Sequence, residues 1–285
     1  MTVIDKAERF QALHRQGCFV IANAWDQGSA RILTQVGFPA IATTSAGLAF
    51  MLGRRDGRAR VSRQEALANA RDIVKATDLP VSADLEDGYG AAPEDCGDTV
   101  RQAAEAGLCG CTIEDTTADP AAPIHGFDIA VARVKAAVAA ARAASHPFVL
   151  TARAENFLHG RPDLDDTVRR LVAFAEAGAD CLYAPALPTM QAIRTVVAAV
   201  APRPVNVLSG PRDQLVSLQA LAEAGVRRVS VGGVLARAAY GQVLQAGRLL
   251  LAGDVPVALR GVASHAEIEA MMEVVPADAG APSRS

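Results

Sequence analysis

Three helical stretches of this chain close on the same phrase, Ala104-Glu105-Ala106-Gly107, Ala175-Glu176-Ala177-Gly178 and Ala222-Glu223-Ala224-Gly225, and each is followed within a few residues by a short apolar run. Glycine readily takes the left-handed conformation with which many helices end, so the phrase marks a helix terminus and its recurrence a repeated helix-to-strand step. Apolar, often β-branched runs recur at 19–23, 40–44, 80–84, 110–113, 148–152, 181–184, 204–208 and 228–231, which makes eight candidate strands. Between them lie segments with apolar residues at three- and four-residue spacing, among them 62–77, 128–144, 163–178 and 211–225. Alternating strand and helix with short connections predicts an α/β fold, a (β/α)8 TIM-type barrel whose chemistry sits on the loops following the strands. An open doubly wound sheet is the alternative. Helical patterns at 5–16 and 264–274 exceed the minimal barrel and predict extra N- and C-terminal helices. Residues 1–275 are expected to form one barrel domain, and 276–285, small, polar and rich in Pro and Gly, a disordered tail.

With 28 Lys and Arg against 31 Asp and Glu, the chain has a formal charge of -3 and no sustained basic stripe, so nucleic acid is not expected as a partner. Five scattered cysteines lack paired metal-binding spacing and read as reduced, mostly buried thiols. No signal sequence opens the chain and no apolar run reaches the roughly 18 residues of a membrane span, so the expectation is a cytoplasmic protein with no membrane partner.

Charged residues collect at the ends of successive strands. Val81 to Gly90 runs from an apolar strand straight into Asp84, Glu86 and Asp87 and then a glycine turn. Asp84 and Glu86 are two apart, which on an extended backbone sends both to one side. The next strand ends in Glu114-Asp115 and the one after in Arg153 and Glu155. Hard oxygen donors suit Mg²⁺ or Mn²⁺, and a cation beside them suits an anionic substrate. An acidic triplet on its own is equally read as a solvated loop with one residue capping the helix that starts near Pro93.

Taken in order, these motifs resemble the isocitrate lyase and phosphoenolpyruvate mutase superfamily. Asp84-Leu85-Glu86-Asp87-Gly88-Tyr89-Gly90 is similar to its metal-binding Asp-x-Asp-x-Gly-Tyr-Gly, with Glu in place of the second Asp. Glu114-Asp115 and Ala152-Arg153-Ala154-Glu155 match the motifs after its fourth and fifth strands. The resemblance implies Mg²⁺, with Mn²⁺ as a substitute, bound directly by Asp84 and through water by Glu86 and Glu114. The extra methylene of Glu86 could instead let it reach the ion itself. The resemblance further implies a substrate loop in which amides near Ser45, Gly47 and Leu48 grip a carboxylate or phosphonate, a segment that read alone is a tight turn. Asp56 falls where the family carries an active-site Asp, although alone in an Arg-rich loop it reads as a surface ion-pair partner. Arg153, on a buried strand end, needs an anionic partner, and its fork suits a carboxylate. Asp56, Arg153 and Glu114 are thus the candidate catalytic residues, and Ser45, Gly47, Leu48 and Arg153 the candidate substrate-binding ones.

The departures narrow the chemistry. Isocitrate and methylisocitrate lyases carry a Lys-Lys-Cys-Gly-His loop after the fourth strand whose Cys supplies a proton, whereas residues 116–126 here contain neither Cys nor Lys. They also lack the asparagine of the mutase gating loop. His125 is the one residue there that ordinarily titrates near neutrality, read either as an acid/base or as a solvent-facing loop histidine. Asp26 or Ser29 is expected to cap a helix, Trp25 to floor the pocket, and Val231-Gly232-Gly233 to form a phosphate site or simply relieve a tight turn. The expected function is a Mg²⁺-dependent lyase or decarboxylase that cleaves a C–C bond of a small 2-oxo or 2-hydroxy carboxylate, oxaloacetate-like, through a pyruvate enolate. The alternatives are P–C chemistry on phosphonopyruvate and a catalytically silent carboxylate-binding barrel. The resemblance also implies a homo-oligomer, a dimer or tetramer with an exchanged C-terminal helix.

Overall fold

The computed structural model describes residues 1–57, 60–210 and 216–273. Eight parallel strands, β1 (Phe19–Ala24), β2 (Ile41–Thr43), β3 (Val81–Asp84), β4 (Gly110–Glu114), β5 (Val149–Arg153), β6 (Cys181–Tyr183), β7 (Val205–Leu208) and β8 (Arg228–Ser230), close in sequence order into a barrel. β1 pairs with both β2 and β8, which excludes the open sheet. The helices are α1 (Val3–Leu13), α2 (Gln27–Val36), α3 (Ser45–Met51), α4 (Arg63–Ala76), α5 (Pro93–Glu105), α6 (Phe127–Arg142), α7 (Leu164–Glu176), α8 (Met190–Val200), α9 (Leu218–Glu223), α10 (Val234–Leu251), α11 (Val255–Ala258) and α12 (His265–Met272). Among the described residues, none is long and apolar enough to cross a membrane.

The local signals explain the boundaries. Asp26 accepts from the Ser29 amide and Ser62 from that of Glu65, reciprocal caps that start α2 and α4. Gly107, Gly178 and Gly225 stand at φ +86, +104 and +89 just beyond α5, α7 and α9, the left-handed residues that the repeated phrase supplies. A β-carbon at Gly225 would also meet Val197 Cγ1 at 2.8 Å. The helix expected over 211–225 is shorter, α9 alone, and 211–215 lie outside the described residues, as does the expected tail at 276–285. The segment read as a turn after the second strand is the seven-residue α3, begun by Thr44, whose side chain accepts from the Gly47 amide.

The core lies between the strands and the surrounding helices, with Ile41, Ala83, Ile113 and Leu150 at 2 % exposure or less. α1 seals the N-terminal end of the barrel by laying Ala7 and Phe10 on Phe19, Ile21, Val149 and Cys181. His14, just past α1, packs edge-on against Phe10 and Phe19. Its Nδ1 donates to the Phe10 carbonyl (2.8 Å), and its Nε2 accepts from Arg228 Nη1 (3.2 Å), which fixes one neutral tautomer. At the opposite sequence end the packing is thin. Of the 18 residues of α10 only Ala236 is buried, and Val243, Leu244, Leu251, Val262 and Ile268 are all exposed.

Candidate active site

Parallel register aligns the chemistry. Asp84 is level with Thr112, Glu114 with Arg153, and Arg153 with Tyr183, so side chains from four neighbouring strands meet at the C-terminal rim. Arg153 is the hub. Its Nη1 lies 2.9 Å from Glu114 Oε1 and 3.3 Å from Asp84 Oδ1, and its Nε lies 2.7 Å from Glu155 Oε1. The guanidinium stacks over the Tyr183 ring, 4.7 Å from its centroid. Asp84 is fixed from the other side by α3: its Oδ2 accepts from the Ser45 amide (3.1 Å) and hydroxyl (2.8 Å), while Oδ1 accepts from Thr112 Oγ1 (3.3 Å).

Three carboxyl groups share one guanidinium, and the charge of Glu86 acts on the same group. Burial pushes the Glu114 carboxyl up to about 8; Arg153 opposes the shift, while Glu155, Asp84 and Glu86 add to it. Tyr89, whose phenol is raised well above its ordinary value by burial and by Glu86, Asp84 and Glu114, borders the same group. Asp56 lies in the exposed turn after α3, where partial burial of the carboxyl and the charge of Asp84 raise its pKa, with the Gly57 amide (2.8 Å) opposing.

Several expectations change here. Glu86 reaches the site, but not by strand alternation: β3 ends at Asp84, and Glu86 stands at φ +48, tied to β4 by the Glu114 amide, which donates to its carbonyl (2.8 Å). The amides of Gly47 and Leu48 are bound to Thr44, at 3.3 Å to its hydroxyl and 3.0 Å to its carbonyl, and the Ser45 amide is bound to Asp84. The expected amide grip on a substrate is therefore turned inward, and only the Ser45 side chain stands at the site edge. Gly47 is needed for space, since a β-carbon there would lie 2.6 Å from Thr44 Cγ2 and 2.8 Å from Trp25 Cβ. The β-carbon of Trp25 borders that position. The amides of Val231 and Gly232 both donate to Asn23 Oδ1 (3.1 and 2.9 Å), so the glycine turn closes the barrel rim instead of presenting a phosphate nest.

Sequence reasoning missed Thr112, Tyr183 and the positional role of Glu155. Glu155 stood in the quoted motif, whereas nothing in an isolated Thr or Tyr betrays the register that brings it to Arg153. Below the rim a cavity of about 50 Å³, lined by Asp84, Thr112, Arg153, Tyr183, Asn206 and Ser230, has room for a few waters.

The loop after β4 is braced. An antiparallel bridge joins Thr116 and Ile124, and the His125 amide donates to the Asp115 carbonyl (2.8 Å). Arg170 of α7 donates to the His125 carbonyl (2.9 Å) and pairs with Asp115 (3.0 Å) and Asp166 (2.7 Å). Asp115 thus faces away from Glu114 and serves the loop. The His125 side chain lines a separate groove beside the rim, together with Arg54, Tyr89, Thr117 and Asp119.

Residues 10–251 match the family described as phosphoenolpyruvate phosphomutase. The chain belongs to that family. Within the isocitrate lyase and phosphoenolpyruvate mutase superfamily it is similar to a crystal structure provisionally named a lyase/mutase from Burkholderia cenocepacia J2315 (48% identity, 95% of this chain and 97% of that one, TM-score 0.92). It is also similar to an oxaloacetate decarboxylase of Paraburkholderia xenovorans (30% identity, 91% and 86% of the two chains). A phosphonopyruvate hydrolase solved with oxalate and Mg²⁺ superimposes with a TM-score of 0.81 at 26% identity over 95% of each chain.

The donor set bears on that ion. Among the described residues no three His, Cys, Asp or Glu side chains converge as a ready chelate. Mg²⁺, however, keeps several waters and takes only one or two carboxylates directly. Asp84, Glu86 and Glu114 offer hard oxygens with an excess of negative charge around a single arginine, and this chemistry fits such an ion.

Proposed function

We propose that the chain is a carbon–carbon lyase that cleaves a small 2-oxo or 2-hydroxy carboxylate, with decarboxylation of an oxaloacetate-like acid as the leading reaction. The observation that carries the reading is the Arg153 hub, a buried guanidinium held among Asp84, Glu114 and Glu155 at the barrel rim. Asp84 would hold Mg²⁺ or Mn²⁺ directly, with Glu86 and Glu114 holding it through water, and when bound the ion would supply Lewis acidity toward a 2-oxo group. Arg153 orients a substrate carboxylate, and its stacking on Tyr183 fixes the plane of the fork. Ser45 positions Asp84 through its amide and its hydroxyl, both of which donate to Asp84 Oδ2.

In the leading reaction the C3–C4 bond breaks, CO₂ departs, and the electron pair stays on the three-carbon fragment as the enolate of pyruvate, which then takes a proton at C3. No acid is needed at the leaving group, in keeping with a 116–126 loop that has neither Cys nor Lys. Asp56, in the exposed turn after α3 and within the field of Asp84, is assigned delivery of the proton that C3 takes, and is reprotonated from solvent. The match to the phosphomutase family favours P–C chemistry on phosphonopyruvate as the second reading.

The proposal includes a second copy of the chain over the exposed apolar residues of α10 to α12, such as Val243, Leu251 and Val262. It also includes a reducing cytoplasmic setting, supported by five free cysteines. A panel of 2-oxo and 2-hydroxy acids and phosphonopyruvate, assayed with Mg²⁺ for pyruvate release, tests the activity. Turnover of oxaloacetate-like acids supports the lyase, release of phosphate from phosphonopyruvate supports the second reading, and no turnover of any of them contradicts both.

A further inference from the structure

The loop between β3 and α5 carries the acidic motif in a conformation that an L-residue chain resists. Glu86, Gly88 and Tyr89 stand at φ +48, +82 and +58, and two of the three are not glycine. Something must hold it.

Behind the loop, on α6, is Arg133, 1 % exposed. Its Nη1 donates to the carbonyls of Gly90 (2.7 Å), Ala91 (2.6 Å) and Ala92 (3.4 Å), and its Nη2 donates to that of Asp87. Thr99 Oγ1 takes the Gly88 carbonyl (2.7 Å) and Arg63 Nη2 that of Tyr89 (3.2 Å). Every carbonyl from 87 to 92 is thereby bound on the helix side, four of the six by one guanidinium. Burying a charge is unfavourable unless it is matched by partners, and a planar fork reaches separate carbonyls where an ammonium offers one centre. Peptide carbonyls pulled outward leave the opposite side of the loop for the side chains of Asp84 and Glu86.

We propose that Arg133 is a positioning residue, which casts the 85–92 loop from outside the barrel and so sets where Glu86 stands relative to Asp84 and Glu114. The inference rests on the metal-assisted reading above for its consequence, but its structural part stands apart from it. Arg133→Lys and Arg133→Met in the full chain test it, with three readouts: hydrogen exchange of the loop amides, Mn²⁺ affinity by electron paramagnetic resonance, and the split between kcat and KM.

Both folded variants should exchange the 85–92 amides at least tenfold faster while the barrel strands exchange as in the wild type. Mn²⁺ should bind at least tenfold more weakly in Arg133→Met and less so in Arg133→Lys, and kcat should fall more than KM rises. Unchanged loop exchange in a folded variant, or exchange that rises equally across the barrel, would overturn the inference. If the wild type itself binds no Mn²⁺, the metal reading fails while loop exchange still decides the role of Arg133. Should neither variant fold, wild-type exchange decides: protection of the loop equal to that of α6 supports the cast, and rapid exchange there overturns it.

Discussion

Acidification should loosen the floor of the barrel through a single histidine. Burial, and then the charge of Arg228, lower the pKa of His14 from 6.5 to about 3, with the Phe10 carbonyl opposing. Its ring is 9 % exposed between Phe10 and Phe19, and Nε2 already accepts from a guanidinium, so a proton there would meet a like charge. Because the folded pKa lies below the unfolded one, the unfolded chain binds the extra proton. The contribution is therefore complete above about pH 6.5 and is lost as pH falls toward 3, with a limiting slope of about 1.4 kcal/mol per pH unit. At pH 5 the loss comes to about 2 kcal/mol. His14→Gln keeps an acceptor for Arg228 but cannot be protonated. Urea unfolding of both proteins at pH 7 and pH 5, followed by far-ultraviolet circular dichroism, should show the wild type losing about 2 kcal/mol more than the variant over that interval. Equal losses would refute the reasoning, because the remaining carboxylates titrate in both.

Gly47→Ala should destabilise the protein by about 1–3 kcal/mol in the same assay, because its methyl would meet Thr44 and Trp25 at under 3 Å. Asp84→Asn should abolish Mg²⁺ binding in a calorimetric titration while the chain stays folded; equal binding by both proteins would remove Asp84 from the metal set. Deleting 264–285 removes α12, whose end accepts from Arg31 and Gln35 of α2, and should lower the oligomeric state in light scattering. A full-length protein that is already monomeric would contradict the assembly.

Barrel and strand order were legible because they rest on repetition: alternating apolar runs, capping residues and three glycine terminators each report a local preference, and all agree. The positions of Asp84, Glu114 and Arg153 were equally legible as strand ends. What the sequence hid is register and backbone reversal. Thr112 and Tyr183 enter the site only because parallel pairing sets them level with Asp84 and Arg153. Glu86 reaches the rim through a left-handed turn that no period-2 pattern predicts. The amides of Gly47 and Leu48 were misread for a related reason: α3 begins at Ser45, so Thr44 caps the helix and takes those donors. Arg133 was invisible as a functional residue, since an arginine inside an alanine-rich helix reads as surface until its partners are seen to be carbonyls.

Inhibition by oxalate tests the central claim most directly. A reaction that passes through a pyruvate enolate should be blocked by a planar dianion resembling it, bound more tightly than the substrate. With an oxaloacetate-like acid as substrate, oxalate should compete, require Mg²⁺, and lose most of its effect in Asp84→Asn and in Arg153→Ala, which remove the proposed ion and the counter-charge respectively. Inhibition of equal strength without the ion, or none at oxalate concentrations far above those at which the substrate saturates, would contradict the enolate route.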